Sequence, residues 1–584
     1  MASLAQPQPP LLALVTGFLF LGAFLLYRWL LPKPIPGIPY NAKAIKSIFG
    51  DIPDLLEHLK HSEQVTDWME GHNLRHNSPI AQVFLNLFQK PVVMINDFKE
   101  SQDILMRRGK EFDKPDMISD LLYGIAREHH TTLKSNDERF KLQRKWLQDL
   151  MSPSFLHGVA GPHLHKTFME LMALWQVKMR LSGMEHSPFP IKPDLSHSAL
   201  EAIWAALFGT GETATITQQQ IDLLSPLNSQ SVKTLQIGTL DLPEASRAPA
   251  FDAILRLTDT FEGVTKSPFP RIYGWFLPFR FSHLVKLKDD LIIGEIHKAE
   301  RRLHDVNGEQ GKVFNAIDHM LHREAQQAAR DHRKPEFYSK PMIAEIFGLL
   351  IAGHDTTAST IMWTMKRLAG HPDVQSKLRD ELRKSYTAAL TEGRVPSAHE
   401  IVNTTIHYLD ACIEEMVRCA QTAPVTSRTA SKDAVVLGHV IPKGTRIIMM
   451  GRSAGILKPS HNIPDSLRSP TFHNAGGGKI GAWDESSPED LLAFHPERWL
   501  KTEADGSRVF DATLGPHLGF GAGPRGCFGR KLAYLELRLA IVLVLWHFEL
   551  QRVPEHLDSY EPIEQLTHNP LQCYVKLAPA PSRH

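Results

Sequence analysis

Residues 519–533 read GFGAGPRGCFGRKLA and run directly into the apolar stretch LAYLELRLAIVLVLW at 532–546. Glycines at 519, 521, 523, 526 and 529 let the backbone come close to a flat ligand and adopt positive φ. Cys527 stands just before a predicted helix, so its sulfur lies near a helix N-terminus. The helix dipole and the cations Arg525, Arg530 and Lys531 favour thiolate over thiol there. The bland alternative is a buried free cysteine in a glycine turn.

Outside this loop, composition narrows the classes. The chain has 584 residues, 42% of them hydrophobic, which is too apolar for disorder and long enough for a large core. Lys+Arg number 65 and Asp+Glu 64, a formal net charge of +1, so a surface built to wrap nucleic acid is excluded. Four cysteines, at 412, 419, 527 and 573, are too few for a disulfide scaffold and contain no C-x-x-C pair for structural zinc. Thirty histidines include no H-E-x-x-H.

Residues 1–27 carry no charged side chain, and 11–31 (LLALVTGFLFLGAFLLYRWLL) match a bilayer-spanning helix, which takes about 20 residues. A cleaved signal peptide needs a basic start, a shorter apolar core and a small-residue cleavage site, and these are lacking. The first positive charges, Arg28, Lys33, Lys43 and Lys46, follow the span, which predicts a short lumenal tail at 1–10 and a cytosolic bulk. The expected localisation is therefore single-pass in a membrane, that of the endoplasmic reticulum. Pro32, Pro34, Pro36 and Pro39 make 32–40 a stiff hinge. On this topology the sequon at Asn403 goes unused.

From 41 to 584 the periodicity is mainly helical, as in 162–182, 283–304, 313–330, 341–370 and 532–547. Short strand-like runs lie at 80–85, 91–95, 434–441 and 445–450. The expected fold class is mainly α with a small β-sheet, one domain behind one transmembrane helix. The polar, Gly/Pro/Ser-broken stretch 457–490 reads as a surface insertion. Its Gly478-Lys479 resembles the end of a phosphate loop, but His473 and Ile480 break the pattern.

Two further clusters stand out. Glu415 and Arg418 share one face of the helix LDACIEEMVRCA, with Arg498 in FHPERW a candidate third member. In 341–370, Gly353, His354, Asp355, Thr356 and Thr357 interrupt an apolar helix, which implies a cavity or a kink with capped hydroxyls.

Phe520, Gly523, Arg525, Cys527 and Gly529 spell F-x-x-G-x-R-x-C-x-G, which resembles the haem-binding loop of the cytochrome P450 monooxygenases. A chance match is on the order of 10⁻⁴ per chain. The resemblance covers about residues 33–580. It implies haem b with Cys527 as axial thiolate, which favours O–O cleavage. It implies Phe520, Arg525 and Gly529 as cofactor contacts, with Arg525 on a propionate, and makes Glu415, Arg418 and Arg498 a structural network behind the haem. In Ala352–Thr357 it implies Thr356 as hydrogen-bonding dioxygen or a water beside it, Asp355 as proton relay, and Gly353 as leaving room and loosening the helix. Arg428, in P-V-T-S-R, and Arg144 are further propionate candidates. The family has W-x-x-x-R where this chain has Phe140 before Arg144, so an indole N–H is missing; for Arg144 a plain surface arginine stays open. By the same analogy substrate meets 112–126, 215–245, 347–356, 424–427 and 568–573, whose apolar character fits a hydrophobic small molecule.

The function implied is a membrane-anchored haem monooxygenase on a hydrophobic substrate, plausible in secondary metabolism. Electrons would come from NADPH-cytochrome P450 reductase, with Arg530 and Lys531 beside the cysteine suited to an acidic partner. The other partners expected are the lipid bilayer and the substrate, with no nucleic acid. Two rivals stay open: a haem-thiolate enzyme that rearranges oxygenated lipids, and a non-catalytic haem sensor.

Overall fold

The structure is a computed structural model that describes residues 9–85, 90–114, 116–183, 186–209, 215–267, 269–304, 315–477, 483 and 491–581. The helices fall within a few residues of their periodicity: Gly161–Leu181, Ser282–His304, Ala316–Arg330, Lys340–Gly370 and Arg530–His547. The longest, Lys340–Gly370, starts where Ser339 accepts from the Met342 N–H and Pro341 occupies the first turn. It crosses the core with Met342, Ile346, Leu350, Ile361, Met365 and Leu368 all buried. The Arg530–His547 helix, here the cysteine helix, packs beside it. Its run of Leu, Ile and Val from 539 to 545 is buried all round, as a core helix must be.

The main sheet has five strands: β1 (Ile80–Val83), β2 (Val92–Ile95), β3 (Phe112–Asp113), β4 (Val425–Ala430) and β5 (Arg446–Met450). Their order is β1-β2-β5-β4-β3, with β5 parallel to β2 and the other pairs antiparallel. The fold is thus α-rich with small sheets. The predicted 434–441 run is a hairpin rather than one strand. Ala434–Val436 pairs with His439–Ile441 because Leu437 and Gly438 both take positive φ, +47° and +80°.

At the N-terminus, Pro9–Leu30 is one helix, long and apolar enough to cross a membrane, and Ala13–Leu30 buries nothing in the protein. The proline segment behind it is not a free spacer. Ile35 and Ile38 are buried, and the Gln82 side chain donates to both their carbonyls, at 2.9 and 2.7 Å, while accepting from the Ile35 N–H. The globular unit therefore begins inside the hinge.

The described part of the 457–490 segment is also docked rather than loose. Arg468 pairs with Asp97 at 2.7 Å, Ser469 and Thr471 donate to Asp103, and Phe472 is buried. Sequence polarity hid this because the anchoring carboxylates lie about 370 residues earlier in the chain. Gly478 and Lys479 lie outside the described residues.

Candidate active site

The loop Phe520–Gly529 is drawn tight by backbone bonds, Cys527 N–H to the Phe520 carbonyl at 2.8 Å and Gly526 N–H to the Gly523 carbonyl at 2.9 Å. Gly523 has φ +69°, and a Cβ there would lie 2.2 Å from the Leu105 carbonyl, so glycine is required on two counts. The Phe520 ring backs the loop, stacked on His517 and 5.3 Å from Tyr534. Cys527 is the open cysteine of the chain, with Arg144, Gly529 and Arg530 acting on its thiol. Burial pushes its thiol up. The N–H groups of Gly529 and Arg530 and the charges of Arg530 and Arg144 pull the other way without prevailing. The expected pull of loop N–H groups and cations toward thiolate is present, and a bound metal would deprotonate the thiol outright.

The long helix contributes its mid-stripe. Ala352 is exposed and Thr356 half-open although neighbouring turns are core, so this stripe lines an internal space. Thr356 Oγ donates to the Ala352 carbonyl at 2.6 Å, and Asp355 accepts from Thr567 Oγ at 2.8 Å. His354 is buried, with Nδ1 2.8 Å from the Leu350 carbonyl. Gly353 serves differently from expectation. The helix runs unbroken through it, and a Cβ would lie 2.7 Å from Ile203, so the space it leaves is filled by the Lys192–Phe208 helix.

Glu415 and Arg418 are both fully buried and joined twice, at 2.7 and 2.8 Å. Arg498 reaches Glu415 at 3.2 Å. Trp499 Nε1 and the His495 N–H also donate to Glu415, and Arg418 donates to the carbonyls of Ile456 and Leu491. Burial pushes the Glu415 carboxyl up, but Arg418 and Arg498 outweigh it and hold it below the usual range. Sequence reasoning missed Trp499 and Trp483, the latter lying under both guanidiniums.

The arginines predicted for propionates converge. Arg428 is buried, and burial together with the Arg525 charge pushes it down to about 10. Arg525 donates to the Leu133 carbonyl, while its Nη1 is buried with no partner. Arg144 is half-buried over the Phe528 ring and senses both Glu345 and Cys527, so it is no surface residue. Phe140 accepts Arg525 on its face at 4.2 Å. Asp113 offsets part of the charge on Arg428 and Arg525, and buried cations this close are costly without further anions. The orphaned Arg525 nitrogen and the basic cluster fit a dianionic ligand, and the open thiol fits an iron ligand. A haem carries both features, and this site fits it.

Two residues escaped the sequence reading. Glu345 lies on the stripe of Ala352 and Thr356, seven and eleven positions earlier, and takes His130 on one oxygen pair; an acid on an apolar helix stripe was the available signal. Glu536 accepts from Thr357 at 2.8 Å and is pushed up to about 8 by burial. The 215–245 segment packs on the Gly161–Leu181 and Lys192–Phe208 helices, around a cavity of about 250 Å³ that also touches Lys178 and His197. The segment that meets the long helix is Pro249–Lys266, whose Asp259 is pushed up first by burial and then by the Asp355 charge.

The sequence profile of the cytochrome P450 family matches residues 59–455 and 487–577. The chain belongs to the cytochrome P450 family. The match breaks across most of 457–490. The chain is 35% identical to cytochrome P450 monooxygenase TRI13 of Fusarium sporotrichioides, over 96% of this chain and 97% of that protein. It is 34% identical to cytochrome P450 monooxygenase xilC of Penicillium crustosum, over 96% and 95%. The Hps1-dma1 cluster cytochrome P450 monooxygenase of Dothistroma septosporum is 37% identical over 50% of this chain and 96% of its own length. This P450 is a monooxygenase, an oxidoreductase of a family that holds haem through a cysteine thiolate and takes electrons from a redox partner.

Proposed function

We propose that this P450 hydroxylates or otherwise oxidises a hydrophobic small molecule in fungal secondary metabolism, with Cys527 as the haem ligand. The observation that carries the ligand assignment is an open thiol in a tight loop, beside Arg525, whose buried Nη1 has no partner. The fungal relatives, one of them named for a gene cluster, support the metabolic setting.

When bound, the haem supplies the iron at which dioxygen is activated. Cys527 binds that iron, and the loop N–H groups steady its negative charge. Arg144, Arg428 and Arg525 orient the cofactor through its carboxylates. Thr356 Oγ, which donates to the Ala352 carbonyl, would keep its lone pairs free on the open stripe to order a water. Asp355, steadied by Thr567, passes protons toward that hydroxyl. An acid and an alcohol placed together favour the monooxygenase over the rearrangement enzyme and the sensor.

The electron donor in this reading is NADPH-cytochrome P450 reductase, docking near Arg530 and Lys531. The protein sits on the endoplasmic reticulum, its catalytic domain cytosolic, and residues 9–30 span the bilayer. A second apolar surface supports a further lipid contact: Phe269, Ile272, Trp275, Phe276 and Phe279 are all about half exposed or more, on or beside the Pro270–Arg280 helix. Removing residues 1–31 then leaves a haem protein with residual vesicle binding, and Trp275→Ser with Phe276→Ser in that truncated chain removes it.

The experiment for the ligand is the reduced carbon monoxide spectrum. The wild type gives the red-shifted Soret band of a thiolate haem, and Cys527→Ser loses it. A Cys527→Ser protein that keeps that band overturns the assignment and moves the question to Cys419 or Cys573.

A further inference from the structure

The turn at His129-His130 is pinned to the long helix by Glu345. The His130 N–H donates to Glu345 Oε1 at 2.5 Å, and His130 Nδ1 lies 2.8 Å from Oε2. His129 Nε2 approaches the same oxygen at 3.5 Å, and its Nδ1 is held by Thr131 Oγ at 2.7 Å. The His129 ring fills the notch above Gly348, where a Cβ would lie 2.3 Å from it. All three titratable groups are buried.

Two histidines and a glutamate with ligating atoms within 4.8 Å of one another could hold a divalent metal. The charges around them argue otherwise. Arg144, Arg525 and Lys114 all act on His130, and a dication among three cations is repelled. What this surrounding attracts is an anion. His130 also packs 6.0 Å from Phe140, the ring that carries Arg525 on its face. It therefore borders the position where the family's indole N–H is missing. Its Nε2 makes no hydrogen bond among the described residues, whereas Nδ1 is taken by Glu345.

We propose that His130 donates from Nε2 to a haem propionate, replacing the donor that Phe140 cannot supply, with Glu345 as its positioning residue. This rests on the haem reading above. A carboxylate on each side of the ring, Glu345 at Nδ1 and the propionate at Nε2, stabilises the imidazolium that carries both protons. Without the propionate, burial and the charges of Arg144, Arg525 and Lys114 keep the ring neutral, and His129 adds no charge.

The test is the rate of haem transfer from the full-length holoprotein to excess apomyoglobin, which needs no turnover. His130→Phe loses haem about tenfold faster, as expected for one hydrogen bond to a charged group. Phe140→Trp changes the wild type little but restores slow loss in the His130→Phe background. Glu345→Gln speeds loss less than His130→Phe, and its effect vanishes in the His130→Phe background. Unchanged haem loss in His130→Phe, or no rescue by Phe140→Trp, overturns the inference while the carbon monoxide spectrum leaves the haem reading standing. Stoichiometric zinc in the purified protein that disappears on His129→Ala also overturns it, in favour of a metal site. A wild type with no thiolate haem signature defeats the haem reading itself.

Discussion

Two clusters of buried arginine lie near the cysteine loop, and they are built on opposite principles. Around Glu415, each guanidinium has acceptors supplied by the chain: Arg418 has a carboxylate and carbonyls, and Arg498 closes on the same carboxylate. Around Arg525 the chain supplies fewer: the Leu133 carbonyl takes one nitrogen, and Asp113 acts on Arg525 and Arg428 through its charge alone. Arg525 Nη1 is buried without a partner, Arg428 finds one neighbouring carbonyl, and the cations depress one another. A closed cluster stabilises the fold, while an open one costs stability until an anionic ligand arrives. The same residue type thus marks structure in one place and a binding site in the other.

The comparison breaks most visibly at Arg418. Arg418→Ala removes the doubly bonded partner of a fully buried carboxylate, a loss of about 3–5 kcal/mol, enough to prevent recovery of folded protein with or without haem. Normal thermal stability in that variant would make the pair an ordinary ionic contact. The acid side has a definite sign. Glu415 is held below its unfolded value, so its contribution is present above that value and fades as pH falls through the lower folded one.

Next in size is the pair proposed for oxygen activation, Thr356 and Asp355. Thr356→Ala keeps haem and substrate binding but diverts NADPH electrons into hydrogen peroxide. A general acid–base contact is worth ~10²–10⁴-fold, with the lower end expected where a stray water can substitute. Asp355→Asn slows turnover with less peroxide. Measuring NADPH consumed, peroxide and product decides, and unchanged coupling in both variants removes Thr356 and Asp355 from the mechanism.

The open cluster should respond with two signs. Arg525→Gln lowers haem retention several-fold, yet leaves the thermal stability of the haem-free protein unchanged or higher, because a repelled cation is gone. Differential scanning on both forms reads this directly. Equal destabilisation of both would class Arg525 with Arg418.

The smallest effect belongs to Glu536. Burial raises it to about 8, so the folded protein binds that proton more tightly than the unfolded chain does. Stability is then full below the unfolded value near 4.5 and falls as pH rises toward 8. Glu536→Gln flattens that slope, and an identical pH profile in both proteins would refute it.

Much of this was legible in one dimension because its signals are local. Helical periodicity placed the long helix and the cysteine helix within two residues, and turn residues around Cys527 dictated the loop. The Glu415–Arg418 pair followed from i,i+3 spacing. Where reading failed, the partners were distant. Nothing near 468 announces Asp97, and nothing near 35 announces Gln82. The 215–245 segment packs in part on the Gly161–Leu181 and Lys192–Phe208 helices, contacts that no local pattern announced.

The sequence by itself determined the fold class, the family loop, the membrane-length helix and the type of chemistry, since each rests on contiguous residues and short-range sterics. Only the tertiary structure decided which charges are closed and which are left open. That His130 meets Glu345 across 215 residues, that Gly353 yields its space to Ile203, and that Arg525 keeps a bare nitrogen all depend on long-range packing. Burial sets the cost of each polar group, and burial is a property of the assembled chain rather than of any stretch of it.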